Sequence, residues 1–333
     1  MAKAEQIKKL IASYGRPEEF RSAAMTIIDD AHRKGHTPLA ASLKRVLEAS
    51  VRPVAEPSTS GLANLDMVAD PAGELVDVLE PSRGLSDIVL AAEARSSFDR
   101  LIEEQKRADD LRRHRLPVRS KLLFCGPPGC GKTLGAEVIA RELDLPLLTA
   151  RIDALISSLL GQTATNLRRL FEYASRRPCV LFLDEFDALA RSRTDAGDHN
   201  ELRRVVNSLL GMIDRHQGRG VFIAATNLES SLDSAIWRRF DDVVTFEPPS
   251  REQIKSLLDL AFKNFPVNFD IDASAAKLSG LSYSEIERVA LDAVKTAVLK
   301  KRKSVTETDF AAALKGVSRR MAAQASHRAR TTR

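Results

Sequence analysis

The feature that most narrows what this chain can fold into is an eight-residue run, Gly126-Pro127-Pro128-Gly129-Cys130-Gly131-Lys132-Thr133. It fits the pattern Gly-x-x-x-x-Gly-Lys-Thr without a mismatch. Such a loop needs a strand before it and a helix after it. Lys121–Cys125 is short and apolar, and Lys132–Glu142 reads as a helix, with Leu134 just inside it. Glycines let successive backbone N–H groups turn inward around phosphate oxygens. The helix start adds the positive end of its dipole. Lys132 is predicted to reach the β and γ phosphates of a nucleotide, and the Thr133 hydroxyl to ligate Mg²⁺.

The surrounding pattern agrees. Short apolar runs at Lys121–Cys125, Leu145–Ala150, Val180–Asp184, Val221–Thr226 and Val243–Phe246 alternate with helical stretches between about 66 and 247. Buried strands separated by helices predict a parallel sheet covered on both faces. One such helix, over 202–213, gathers Leu202, Val205, Val206, Leu209, Leu210 and Ile213 on one face. Pro248-Pro249 closes the block. Residues 250–318 then read as all helical, opened by a capping box of Ser250 and Gln253. A stripe of Ile286, Val289, Ala290, Ala293, Val294, Ala297 and Val298 follows, and Thr308-Asp309 starts a last helix through Leu314. Residues 1–50 read as three short helices, and 51–65 as a Pro/Ser linker. The expected fold class is α/β: a sandwich around a parallel sheet over 66–248, a helical lid over 249–318, a small helical unit in front, and a basic, poorly ordered tail over 319–333.

Three further elements bear chemistry. Val180 to Leu183 delivers Asp184 and Glu185 to the strand's C-terminal end, where parallel sheets bind ligands. Asp184 is expected to hold Mg²⁺ through its water shell, and Glu185 to polarise the attacking water. Phe222–Thr226 ends in Asn227, either a turn former or the amide that orients that water. Trp237-Arg238-Arg239-Phe240-Asp241 sets two arginines between aromatics, either as a surface ion-pair patch or as fingers reaching a γ-phosphate.

In this order and spacing the four elements resemble the AAA family of ATPases in its narrower sense, over residues 84–318. The resemblance implies an α/β ATPase domain with a helical lid, ATP and Mg²⁺ as cofactors, and a homo-oligomeric ring, usually a hexamer, with nucleotide at subunit interfaces. It implies that Arg238 and Arg239 act in trans, that Asn227 is sensor 1, and that Asp87 and Ile88 line the adenine pocket. His199 to Ser208 resembles the helix after the second pore loop, which would span Arg191–Asp198. Gly280-Leu281-Ser282-Tyr283-Ser284 looks like the sensor 2 region. Tyr283-Ser284 stands where such members carry Gly-Ala, so Tyr283 must lie near the nucleotide or rotate outward. Ser158-Leu159-Leu160-Gly161 falls at the pore loop, with Leu159 where threading members have an aromatic. Leu155, Leu159 and Leu160 equally fit a core-facing reading.

Composition excludes other classes. Hydrophobic residues are 44% and charged residues 29% of 333, a globular balance. No apolar run approaches the ~20 residues of a membrane span, and three cysteines suit a reducing compartment, so a cytoplasmic protein is expected. The net charge of +6 is a tail property: residues 301–333 carry nine basic and two acidic residues, leaving the rest near neutral. Cys130 reads most simply as a small filler of the phosphate loop, at a helix start where a thiol pKa can fall. No His-Glu-x-x-His motif is present. The expected function is ATP-dependent remodelling of a protein substrate or complex recruited through residues 1–50. The alternatives are a nucleotide-controlled assembly module that does not thread its partner, and nucleic-acid engagement through the Arg-rich tail.

Overall fold

A computed structural model describes residues 74–155, 160–187, 199–216, 220–228 and 234–331, with side chains placed for most of them. All belong to the second of two units, Asn64–Arg333. The helical unit expected over 1–50, the linker over 51–65, Leu159 and the stretch 191–198 lie outside the described residues, as does the Leu160 side chain.

Strands β1 (Val76–Leu79), β2 (Lys121–Cys125), β3 (Leu147–Ala150), β4 (Cys179–Leu183), β5 (Gly220–Thr226) and β6 (Asp242–Thr245) form one sheet in the order β1-β3-β4-β5-β2-β6. All neighbours run parallel except β1, which pairs antiparallel with β3. The five expected strands form within a residue or two of their predicted ends, and Pro146 trims the start of β3. β1 was not anticipated. It is only four residues long, and Asp77 and Leu79 on its outer side face solvent.

Each inner strand alternates between two cores, because successive side chains leave opposite faces of the sheet. Leu123, Cys125, Leu181, Leu183, Phe222 and Ala224 point to one cluster, covered by α5 (Leu160–Ser175) and α6 (His199–Arg215). Leu122, Phe124, Val180, Phe182, Val221 and Ile223 point to the other, under α1 (Ala92–Lys106) and α3 (Lys132–Glu142). Phe98 of α1, Phe124 and Phe246 knit that second face, with ring centroids 4.9–6.4 Å apart. Both-sided burial explains why the strands read as continuous apolar runs. Short helices α2 (Ala108–Arg113), α4 (Ile152–Leu155) and α7 (Ser234–Trp237) complete this part. Leu155 is fully buried in the first core.

The lid has its own core. It comprises α8 (Arg251–Ala261), β7 (Val267–Asn268), α9 (Ile271–Ala276), α10 (Tyr283–Leu299), β8 (Val305–Thr306) and α11 (Glu307–Thr331). The predicted capping box at Ser250 and Gln253 is formed. Three expectations are corrected. The segment is not all helical, since β7 and β8 make a two-residue parallel pairing. Val298 of the α10 stripe is exposed, because five of the seven positions already fill the buried face and Val294 is half-buried. The last helix begins after Thr306 and continues past the predicted end at Leu314, to Thr331. Thr306 and Asp309 exchange cap bonds there, which is why the helix starts at Glu307, one residue before Thr308.

Candidate nucleotide-binding site

Sheet order explains why distant residues converge. β5 lies between β4 and β2, and the three run parallel, so their C-terminal ends share one edge. Cys125 is paired with Thr226, which sets Gly126 beside Asn227, and the Gly126 N–H donates to Thr226 O at 3.3 Å. β4 brings Asp184 and Glu185 to the same edge. The three motifs therefore meet around one cleft of about 690 Å³, lined by Asp87, Ile88, Pro128 to Leu134, Asp184, Glu185, Asn227, Tyr283 and Ser284.

Lys132 sits at its centre, 6% exposed. Its Nζ donates to Gly126 O at 2.6 Å, Pro127 O at 3.0 Å and Asn227 Oδ1 at 2.7 Å. Burial pulls this ammonium below its ordinary pKa, and Asp184 opposes the fall. Gly126 and Pro127 thus serve the loop through their carbonyls beneath Lys132 and do not line the cleft. Gly126 has φ +140°, and a Cβ there would stand 2.0 Å from Phe246 O, so only glycine fits.

The Thr133 hydroxyl lies 3.2 Å from Asp184 Oδ2, and Asp184 Oδ1 accepts from the Glu185 N–H at 2.8 Å. A hydroxyl and a carboxylate side by side are hard oxygen donors, a chemistry that suits Mg²⁺. Glu185 is exposed and adopts φ +49°, uncommon outside glycine and costing of order 1 kcal/mol or more. Buried Asp187 braces the β5 end, accepting from Thr226 Oγ1 at 3.2 Å and Asn227 N at 3.4 Å.

The lid meets the phosphate loop directly. The Ser284 N–H donates to Gly129 O at 3.1 Å, and a Cβ on Gly129 would fall 2.6 Å from Ser284 Oγ. Tyr283 faces the cleft and packs on the second core, where burial pushes its phenol up to about 12. Cys130 fills the loop as a buried residue, and desolvation raises its thiol pKa despite its helix-start position and nearby Lys132. Gly280 does not line the cleft. Its φ of +85° serves the turn into α10.

Arg238 and Arg239 also stand away from their own cleft. Arg238 is exposed, whereas Arg239 pairs with Asp214 at 3.1 Å and donates to Ala235 O. Several cleft residues escaped the sequence reading. Leu257, Leu260 and Ala261 of α8 lie on an apolar arc wider than the lid core needs, a usable signal. Arg83 and Glu287 gave none.

A parallel sheet edge that presents a phosphate loop, an acidic pair and an amide beneath a helical lid defines a P-loop nucleoside triphosphatase. Comparison narrows the class further. Residues 122–248 match the ATPase family associated with various cellular activities (AAA). A Sinorhizobium fredii protein named "Uncharacterized AAA family ATPase y4kL" is 52% identical over 325 residues, 98% of each chain. The chain belongs to the AAA family of ATPases. It is also similar to the ATP-dependent zinc metalloprotease FtsH 2 of Bdellovibrio bacteriovorus, 29% identical over 77% of this chain and 43% of that one. Protein SAV of Sulfolobus acidocaldarius is 29% identical over 78% of this chain and 34% of that one. The chain thus spans nearly all of the Sinorhizobium relative and under half of the other two. Among the described residues no helix is long and apolar enough to cross a membrane.

Proposed function

We propose that the chain hydrolyses ATP at this cleft and uses the energy to remodel a protein substrate or complex, acting in a ring of its own copies. The observation that carries the catalytic part is the meeting of Lys132, Thr133, Asp184, Glu185 and Asn227 at one sheet edge under the lid. ATP would enter with its phosphates on the Gly126–Thr133 loop and its base toward Asp87 and Ile88. Lys132 would exchange its carbonyl partners for phosphate oxygens, because a buried ammonium gains most from full charge. Thr133 and Asp184 would hold Mg²⁺, which when bound neutralises charge on the β and γ phosphates. Glu185, exposed at the mouth, would orient and polarise the attacking water, and Asn227 would steady it. Position and charge supply most of the rate in such transfers.

Arg238 and Arg239 do not reach their own cleft, so a role for them at a γ-phosphate requires a neighbouring copy. Loss of the γ-phosphate would then weaken contacts at the subunit boundary and at the Gly129–Ser284 junction, moving the lid. The similarity to FtsH 2 supports work on proteins rather than simple nucleotide turnover. Residues 1–50 are the proposed recruiting unit and Leu159 the proposed pore position.

The test is Glu185→Gln. It is expected to bind ATP as tightly as the native chain while kcat falls at least about 100-fold, the scale of losing a general base. A turnover rate near normal would refute the catalytic assignment. Proteins retained by this variant with ATP, and released by ADP, identify the substrate. Partner release that needs Lys132 but survives Leu159→Ala would favour nucleotide-controlled assembly over threading.

A further inference from the structure

The wall of the cleft that carries Asp87 and Ile88 is an irregular segment, and irregular backbone stays in place only where its polar groups are tied. Here the ties converge on one helix. Glu137 of α3 is 5% exposed. Its Oε1 accepts from Ser82 N and Ser82 Oγ, both at 3.2 Å, and from Arg83 N at 3.3 Å. Its Oε2 takes both arms of the Arg83 guanidinium, Nε at 2.9 Å and Nη2 at 2.6 Å. Further along α3, Glu142 Oε1 accepts from Leu85 N at 3.0 Å. The segment closes on itself where Gly84 N donates to Asp87 Oδ2 at 2.9 Å and Asp87 N donates to Gly84 O at 3.0 Å.

We infer that Arg83 and Glu137 are positioning residues for the nucleotide's base: together they strap the Ser82–Val89 wall to the same helix that begins with Lys132 and Thr133. This rests on the reading of the cleft as an ATP site. A single rigid rod then sets both ends of the site, with about 7.5 Å of helix rise between Lys132 and Glu137. The chemistry of the pair fits the task. A buried carboxylate is costly unless paired and fully hydrogen-bonded, and this one accepts five bonds from the strap. Burial alone would raise the Glu137 carboxyl, yet the Arg83 and Ser82 donors hold it below the usual range. A planar two-armed donor fixes direction as well as distance, which a lysine cannot do. Arg83 is half exposed, and its exposed part belongs to the cleft wall, where Glu287 of the lid also lies.

If the strap positions the base, a ligand made only of phosphates will not sense it. The experiment measures ATP hydrolysis by the full chain and its competition by inorganic tripolyphosphate with Mg²⁺. Arg83→Ala is expected to raise KM for ATP about tenfold, the scale of one lost charge-assisted bond pair. The Ki for tripolyphosphate should stay within about twofold, with kcat changed little. Arg83→Lys should fall between, since charge survives but the fork is lost. Glu137→Gln should resemble Arg83→Ala; should it fail to fold, the half-exposed Arg83 variants still decide. An unchanged KM, or a KM and Ki that rise together, would overturn the inference while leaving the ATP site standing. A native chain that neither binds nor hydrolyses ATP would remove the ATP site and the inference with it.

Discussion

Asp309 is 1% exposed, and its charge is kept by four donor groups from three residues. Arg302 Nη1 lies at 2.6 Å, Lys300 Nζ at 3.3 Å, Thr306 Oγ1 at 2.6 Å and Thr306 N at 3.3 Å. Hydrogen bonding from Thr306 leads the effect, and the carboxyl is held down at about 2. A carboxylate whose pKa is lower folded than unfolded stabilises the fold above the unfolded value, and the gain disappears as pH falls. The lid is therefore expected to lose stability between about pH 4 and pH 2. Asp309→Asn should flatten that limb and be less stable at neutral pH, as read from denaturant midpoints across the range. Cys130 carries the opposite lesson. A helix start by itself pulls a thiol pKa down, but enclosure beside the loop and Tyr283 raises this one. Local sequence registers the dipole and cannot register the burial.

At the scale of elements, local chemistry was written plainly. Ser250 and Gln253 form the box their spacing announces, with the Gln253 N–H donating to Ser250 Oγ and the Ser250 N–H donating to Gln253 Oε1. Ser250→Ala should cost the lid about 1 kcal/mol, the usual worth of such a cap, measurable by chemical denaturation. The five core strands were likewise readable, because burial on both faces demands unbroken apolar runs. Elements that depend on a distant partner were not. β1 exists because β3 offers it an edge, with Val76 opposite Ala150. The β7–β8 pairing joins residues 38 positions apart. The extension of α11 through Thr331 had no apolar stripe to announce it.

At the scale of the whole molecule, the prediction concerns assembly. Arg238 is exposed and is not among the residues that line its own cleft, so its proposed contact lies in another copy. Mixing Arg238→Ala with the native chain should lower ATPase activity below the average of the two proteins measured apart. Activity equal to that average would argue against shared sites. Light scattering of Glu185→Gln with and without ATP should show ATP-dependent assembly. By itself the sequence determined the phosphate loop, the acidic pair, the strands that carry them and the family they resemble, because each is specified by residues adjacent in the chain. Tertiary structure alone decided that Arg83 grips Glu137, that α8 closes the cleft, that Tyr283 turns inward and that Cys130 is quenched. Those outcomes depend on which surfaces meet when the sheet, its helices and the lid pack, and burial and hydrogen-bond partners are properties of that meeting.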